Sequence, residues 1–346
     1  MERLQYFVRR LLLIVPTFLG ITIVAFTLCQ FVPGGPVEQA MIRMRGIGGV
    51  GESRAGSATT AITEAQRQAL EKHFHFDRPV PVRYALWLWR DRIGLRADSY
   101  MYPNKTVWGI IRERFPVSIV FGLTGFALAY LICIPLGIAK ALRHGAAFDV
   151  ATSAIVFAGY AIPPVALGMI LKTLFAGTSD RFWDVFPSSG FHALGFETLS
   201  LAEKARDLLM HMTLPVLCYV IGHFALLTLL MKNSLLEQIG QDYVRAVLAR
   251  GATRRRAVWA HALSNSLIPI ATGFGGILSV VFAGSVIIER MFELPGMGKL
   301  SLDAVVGRDY MVFMGVLAAT SLLALVGRIL SDFCYVLIDP RIQLHR

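Results

Sequence analysis

Charge is what this sequence has least of. Only 16% of its 346 residues are Asp, Glu, Lys or Arg, against about a quarter in ordinary soluble domains. With 55% hydrophobic residues and a mean hydropathy of +0.57, that deficit excludes an ordinary soluble domain and points to a membrane protein. Cysteine is scarce too. Cys29, Cys133, Cys218 and Cys334 all lie in apolar runs, without CxxC or metal-ligand spacing, so neither a disulfide framework nor a zinc site is implied. There is no GxxxxGK[ST] phosphate loop, so this chain does not itself cradle a nucleotide. No paired carboxylates stand inside an apolar run, which removes the usual basis of acid–base catalysis. A signal-peptide cleavage site is missing as well. Arg9 and Arg10 precede an apolar run that continues to Phe31, roughly 20 residues and long enough to span a bilayer. No small-x-small site follows, and "FTLC" before Gln30 is a poor lipoprotein site, so an uncleaved first membrane helix is expected.

What is abundant is apolar sequence. Six segments are long and apolar enough to span: 9–31, 117–139, 151–176, 213–231, 267–288 and 311–331. They predict an all-α integral membrane protein with six transmembrane helices. Three parts are expected: 1–32 with the first span, an extramembrane region 33–116, and a five-helix core 117–346. The region 33–116 begins with "PGGP" and a Gly/Ser/Thr stretch, "RGIGGVGESRAGSATT". Two amphipathic helical patterns follow, "TEAQRQALEKHFHF" and "VRYALWLWRDRI". Pro135, Pro163 and Pro164 lie in or near spans and permit kinks. Gly273, Gly275 and Gly276 in the fifth span permit close helix approach, although both residue types are ordinary in membrane helices. Arg328 and Asp332 share a helix face and can pair. Lys172, near a span end, can snorkel. His73 and His75 form a lone HxH, better read as a surface pair than a metal site. His223, inside the fourth span, is either a pathway residue or, preferably, a packed and hydrogen-bonded neutral histidine.

Orientation follows from lysine and arginine in the short loops. With the N-terminus inside, the inner segments hold three, two, six and three, fourteen altogether, against six in the outer loops 177–211 and 289–310. Both termini are therefore expected in the cytoplasm, and so is the loop 232–266. Its core, "YVRAVLARGATRRRAVWAHALSNSLIP", is the most polar internal stretch of the chain. Asp242 is expected to cap a first helix, Gly251 to end it in the left-handed conformation, and Thr253 to cap a second. Three arginines in that second helix's first turn oppose the macrodipole, which suggests a contact role. A DNA-binding helix–turn–helix needs free approach to a groove, and two spans pin this loop. A lipid-facing, topology-setting loop and a docking element for a soluble partner both remain open.

The loop also carries a resemblance. "YVRAVLARGA…W.HALSNSLIP" resembles the cytoplasmic coupling loop of ABC-importer permeases, more narrowly the first permease subunit of the dipeptide and oligopeptide importers. Tyr243, Arg245, Gly251, His261, Ala262, Leu263, Asn265 and Pro269 match the family form, while Leu248 and Ser264 stand where arginine is usual. "RRLLLIVPTFLGITIVAF", "FDRPVPVRYALWLWRDRIGL" with "VWGIIRERFPVSI", "IIERMFELPGMGKLSLDAVVGRDYMVFMG" and "LSDFCYVLIDPRI" are similar to further family segments in the same order. "GGPV" and the Gly-rich stretch behind it look most like the branch linked to microcin C-type peptide uptake. The resemblance implies a type I ABC-importer permease without covalent chemistry or a bound cofactor of its own. ATP and Mg would sit on cytoplasmic ATPase subunits. The other implied partners are a second permease, an extracytoplasmic peptide-binding protein and membrane lipid, with no nucleic acid. The ATPase-coupling residues it implies are Tyr243, Val244, Arg245, Ala246, Val247, Gly251, Ala252, Arg254 and Arg255. "ELPGMGKL", 293–300, is expected as a turn facing the binding protein, lining the outer gate, or simply connecting.

Overall fold

The computed structural model describes residues 2–31, 77–176, 183–271, 273 and 284–338. Among them there are helices and no strands, with only two isolated bridge pairs, Asp98 with Thr106 and Ala176 with Asp184. The all-α expectation holds. In chain order the helices are α1 (Glu2–Phe31), α2 (Val80–Ala85), α3 (Val107–Leu142), α4 (Ala147–Ala161), α5 (Pro164–Phe175) and α6 (Leu201–Ile239). They continue with α7 (Asp242–Ala249), α8 (Arg254–Ala257), α9 (Leu263–Ser266), α10 (Val286–Met291), α11 (Met297–Val306) and α12 (Tyr310–Ile338). The π-helical turns Leu86–Arg90 and Val258–Ala262 follow α2 and α8.

Four helices are long and apolar enough to cross a membrane: Gln5–Phe31 of α1, α3, α6 and Tyr310–Phe333 of α12. Threonines inside them bond back to carbonyls one turn earlier. Thr22 Oγ1 donates to Phe18 O, Thr124 to Val120 O, Thr213 to Leu209 O and Thr320 to Val316 O. A hydroxyl satisfied within its own helix is tolerated in an apolar setting. The expected third span is broken. Proline disfavours the helical region for the residue before it, and Ile162 accordingly adopts φ −84°, ψ 117°. Pro164 then opens α5 at the position where its missing N–H costs nothing. The two halves meet at 95° and count as one bent span or a re-entrant pair. Half of the expected fifth span, 272 and 274–283, lies outside the described residues. So do "PGGP", the Gly/Ser/Thr stretch, "TEAQRQALEKHFHF" with His73 and His75, and Gly275 and Gly276.

The chain divides into two compact units. The first is drawn from Met1–Leu12, Phe115–Lys299 and Leu323–Arg346. One of its cores gathers Phe121, Leu214, Cys218, Tyr219, Ile288, Phe292 and Leu294. A second joins Cys133, Leu227, Met231 and Leu235 to Val244, Ala257, Val258, Ala262 and Ile270. Cys133 and Cys218 are buried free thiols, as expected. Gly273 also meets its expectation, because a Cβ there would collide with the Tyr130 hydroxyl.

Two pairings in this unit differ from expectation. Asp332 pairs with Arg10, which reaches it from α1, while Arg328 points outward, exposed. Lys172 does not snorkel. It is partly buried, and its Nζ donates to Met291 O at 3.1 Å, satisfying a carbonyl at the end of α10.

The second unit takes Leu13–Arg114 and Leu300–Leu322. Trp87, fully buried, stacks on Tyr84, whose hydroxyl lies 2.9 Å from Thr22 Oγ1. Asp309 is buried and organises this unit's polar interior. Its carboxylate accepts from Ser99 Oγ, from Met101 N at 2.8 Å and from Val312 N at 3.1 Å, closing the first turn of α12.

Candidate docking loop and buried polar centres

The loop 241–266 is built outward from the apolar cluster beneath it. Gln241 has extended dihedrals (φ −72°, ψ 152°) and is the residue that precedes α7. This corrects the expected cap. Asp242 already stands inside the helix, and its exposed carboxylate lies 3.5 Å from Arg245 Nη1. An N-cap needs the extended conformation, which here falls one residue earlier. The Tyr243 hydroxyl donates to Gln238 Oε1 at 2.8 Å, fastening α7 to the end of α6. Val244 is 2% exposed, and Val247 packs beside it on the Met231–Leu235 cluster.

Gly251 behaves as expected. Its φ is +86°, a region that a side chain rarely adopts. Gly251 N donates to Leu248 O at 3.0 Å and Ala252 N to Val247 O at 3.3 Å. That is the doubly bonded helix ending in which a left-handed residue satisfies the last carbonyls. Thr253 caps the next helix as expected, its Oγ1 accepting from Arg256 N at 3.3 Å. Ala257, Val258 and Ala262 turn inward and are fully buried or nearly so. At the exit, Ser234 Oγ donates to Ser266 O at 2.8 Å and ties the loop back to α6.

The nine residues singled out in the sequence therefore separate into two sets. Val244 and Val247 anchor the loop. Tyr243, Arg245, Ala246, Gly251, Arg254 and Arg255 face outward, with Ala252 half-buried between them. Leu248, Arg250, Arg256 and Trp259 extend the outward face. A shallow depression of about 390 Å³ lies among Thr253, Arg255, Arg256, Trp259 and Ala260. The result is a firmly seated platform with a basic and partly apolar upper side.

Sequence reasoning missed a buried ion cluster beside this platform. Lys232, on α6, donates to Asp149 Oδ1 and Oδ2 at 2.7 and 2.8 Å. Lys140, near the end of α3, lies 3.2 Å from Asp149 Oδ1. Its ammonium also donates to Asp149 O, Thr152 Oγ1 and Ser153 Oγ at 3.0, 2.9 and 2.7 Å. Gly145 N and His144 Nδ1 approach Asp149 Oδ2 at 3.1 and 3.3 Å. The Lys140 side chain is wholly buried, and those of Asp149 and Lys232 are 6% and 11% exposed. Both lysines were counted toward orientation as loop charges, yet neither faces solvent. The available signal was Asp149, an acid in the first turn of an otherwise apolar segment.

A second buried centre occupies the turn 284–299. Glu289 is fully buried. It accepts from Ser118 Oγ at 3.0 Å and from Lys299 N at 2.8 Å, while Ser118 Oγ accepts from Met297 N at 2.7 Å. Gly296 lets the backbone pass the carboxylate, since a Cβ there would sit 2.4 Å from it. Burial pushes the Glu289 carboxyl up from its ordinary value, and the hydrogen bonds from Lys299 and Ser118 pull it partly back. "ELPGMGKL" is thus anchored to Glu289 through the Lys299 backbone. Leu294 and Met297 within it are buried. His223 also departs from its favoured reading, because it is exposed on α6 and not packed.

Long apolar helices, a bent helix pair and a seated basic loop define the membrane-embedded subunit of a transport assembly. The comparisons agree. Residues 133–344 match the family described as "Binding-protein-dependent transport system inner membrane component", and the chain belongs to that family. It is a multi-pass inner-membrane permease subunit of an ATP-driven ABC transport system and is not itself a catalyst. It is similar to the "Inner membrane ABC transporter permease protein YejB" of Escherichia coli O157:H7, at 37% identity over 98% of both chains. It is also similar to the "Peptidoglycan transport system permease protein YejB" of Agrobacterium fabrum, at 36% over 99% of this chain and 98% of that one. The "Oligopeptide transport system permease protein AppB" of Bacillus subtilis is 30% identical over 98% and 99%.

Proposed function

We propose that this chain is the first permease subunit of an importer for peptides or peptide-like compounds. It crosses the inner membrane six times with both termini in the cytoplasm. It forms the translocation path with a second permease by alternating access. ATP and Mg bind to cytoplasmic ATPase subunits that dock on the loop 232–266, chiefly through 243–256, and an extracytoplasmic binding protein delivers the substrate. Two of the similar proteins named above carry peptidoglycan or oligopeptide transport in their names, and peptidoglycan fragments bearing a peptide stem fall within the proposed class. The five candidate spans, counting the bent pair as one, and the apolar segment 267–288 support the six-span count.

The observation that carries the docking reading is the platform itself. A loop needed only for its charge would not require Val244, Ala257, Val258 and Ala262 in the core, nor a doubly bonded glycine ending. Those features hold a surface at a fixed angle, which a contact that transmits force requires. Leu248, 41% exposed where the family usually has arginine, offers that contact an apolar centre. Trp259 and the three arginines 254–256 also favour contact with anionic lipid at the rim, because tryptophan and cationic side chains collect at membrane interfaces.

The test is cross-linking from Leu248→Cys in the assembled complex, together with uptake by Gly251→Val. We expect the cysteine to capture an ATPase subunit. The Gly251→Val complex should hydrolyse ATP and fail to transport, because valine is strained at φ +86°. Capture of lipid alone, with normal uptake by Gly251→Val, would sink the docking reading.

A further inference from the structure

Asp149 joins three helices at one end of the first unit. Lys140 stands two residues before the end of α3, and Asp149 is the third residue of α4. Lys232 lies seven residues before the end of α6, and only Gly240 and Gln241 separate α6 from α7. Val244 of α7 packs on Met231 and Leu235, the neighbours of Lys232, so α7 and this end of α6 share one core. Lys140 bonds only to α4, through Asp149 O, Thr152 and Ser153. Asp149 passes that attachment on to α6 through both carboxylate oxygens.

The chemistry of this joint differs from that of the surrounding core. Apolar side chains can slide past one another at small cost. A carboxylate held by two ammonium groups away from water has one favourable register, and separating the charges there is expensive. Such a centre is poor at adding stability beyond what apolar residues of equal volume would give, and good at fixing which parts stay together.

We propose that Asp149, clamped between Lys140 and Lys232, is a positioning residue that makes the α3–α4 turn and the loop-bearing end of α6 one rigid body. Displacement of α7 by a docked partner is then delivered to α3 and α4 as well as α6. This deepens the docking reading and rests on it.

The test uses the whole transporter in lipid nanodiscs and proteoliposomes. Spin labels replace Val150 on α4 and Glu237 on α6, both exposed, in a chain without its native cysteines that retains uptake. The expected label distance agrees to within about 2 Å between the nucleotide-free and ATP-trapped states, less than a one-turn helix shift. In Asp149→Asn the distance should broaden or shift between those states. Uptake should fall roughly tenfold while the ATPase subunits stay bound and hydrolysis continues. Asp149→Glu, which keeps a carboxylate between the two lysines, should hold uptake within about threefold of the parent, whereas the nearly isosteric Asp149→Asn should not, a difference that a merely space-filling role would not produce.

A parent distance that changes by a helical turn overturns the proposal. So does Asp149→Asn with an unchanged distance and normal uptake. Should Asp149→Asn fail to assemble, the parent distance still decides. Failure of the docking reading looks different: Leu248→Cys captures no ATPase subunit, whatever the labels report.

Discussion

The two buried polar centres of the first unit both engage α3, one well inside it and the other near its last residue. Ser118 and Lys140 are 22 positions apart on α3, or about 33 Å at the helical rise, close to the thickness of a bilayer's hydrocarbon layer. The centres differ in chemistry. Glu289 is met by neutral donors, the Ser118 hydroxyl and the Lys299 amide. Asp149 is met by two ammonium groups. The neutral centre joins α10 and the first turn of α11 to α3 through hydrogen bonds alone. The charged one binds three helix ends. Both arrangements make separate helices depend on one another, but only the charged one does so through ion pairs, whose separation away from water is the more expensive.

That contrast is broken most severely at Asp149. Asp149→Ala leaves Lys140 and Lys232 buried without a counter-ion, and we expect a loss of about 3–5 kcal/mol, read as a fall in unfolding midpoint in detergent. Replacing all three with Lys140→Met, Asp149→Leu and Lys232→Met should recover most of that stability while uptake remains impaired. A triple variant that transports normally would show that the charges serve only the fold.

Glu289→Ala should cost less, about 2–3 kcal/mol, because it strands the Ser118 and Lys299 donors without removing the partner of a charge. Glu289→Gln keeps an acceptor and should cost little, with a definite pH dependence. The native Glu289 carboxyl holds its proton to higher pH than the unfolded one, whose ordinary value is 4.5. The native protein therefore loses this contribution as pH rises from 4.5 through the raised folded value. The midpoint of Glu289→Gln should gain on the parent across that interval and then run parallel to it. A Glu289→Gln midpoint that falls further behind the parent as pH rises across that interval would reverse the assignment.

The remaining substitutions probe the platform. Gly251→Ala places a side chain at a positive φ with open space around it, so the cost is backbone strain alone, about 1 kcal/mol. Asp242→Ala should be the mildest, moving the midpoint by no more than about 1 °C, because an exposed i,i+3 pair adds little. A large effect would restore Asp242 as the functional cap.

These sites also show what could be read in the sequence. The loop was legible because its signals are local. Gly251 and Thr253 announce a helix end and a helix start within three residues. The displaced cap was not, since Gln241 and Asp242 are both acceptable by composition and only the dihedrals separate them. Pro163 and Pro164 announced a break but not its angle, which neighbouring packing sets. Of the Asp149 cluster only the isolated acid stood out, and its partners did not, for a different reason. Its carboxylate and Lys232 are 83 residues apart, and a lysine at a helix end reads as solvated until tertiary structure covers it. Glu289 was visible within a matching motif, yet its partner Ser118 is an ordinary hydroxyl inside an apolar run. Position-specific pairing across long separations carries no periodic or compositional trace.

α6 has 39 residues, which at the helical rise makes it about 58 Å long, nearly twice the thickness of the hydrocarbon layer. It is a beam that overhangs the membrane, and not merely a span. Ser200 and Glu203 close one tip with a reciprocal pair of hydrogen bonds, and the other tip runs straight into Gly240 and the platform. Tilting such a beam by about 5° around its midpoint swings each tip by about 2.5 Å, in opposite directions. A small push at the platform end would thus reappear, inverted, at the opposite tip, with Pro215 as the proline at which the beam can bend and let the two tips differ.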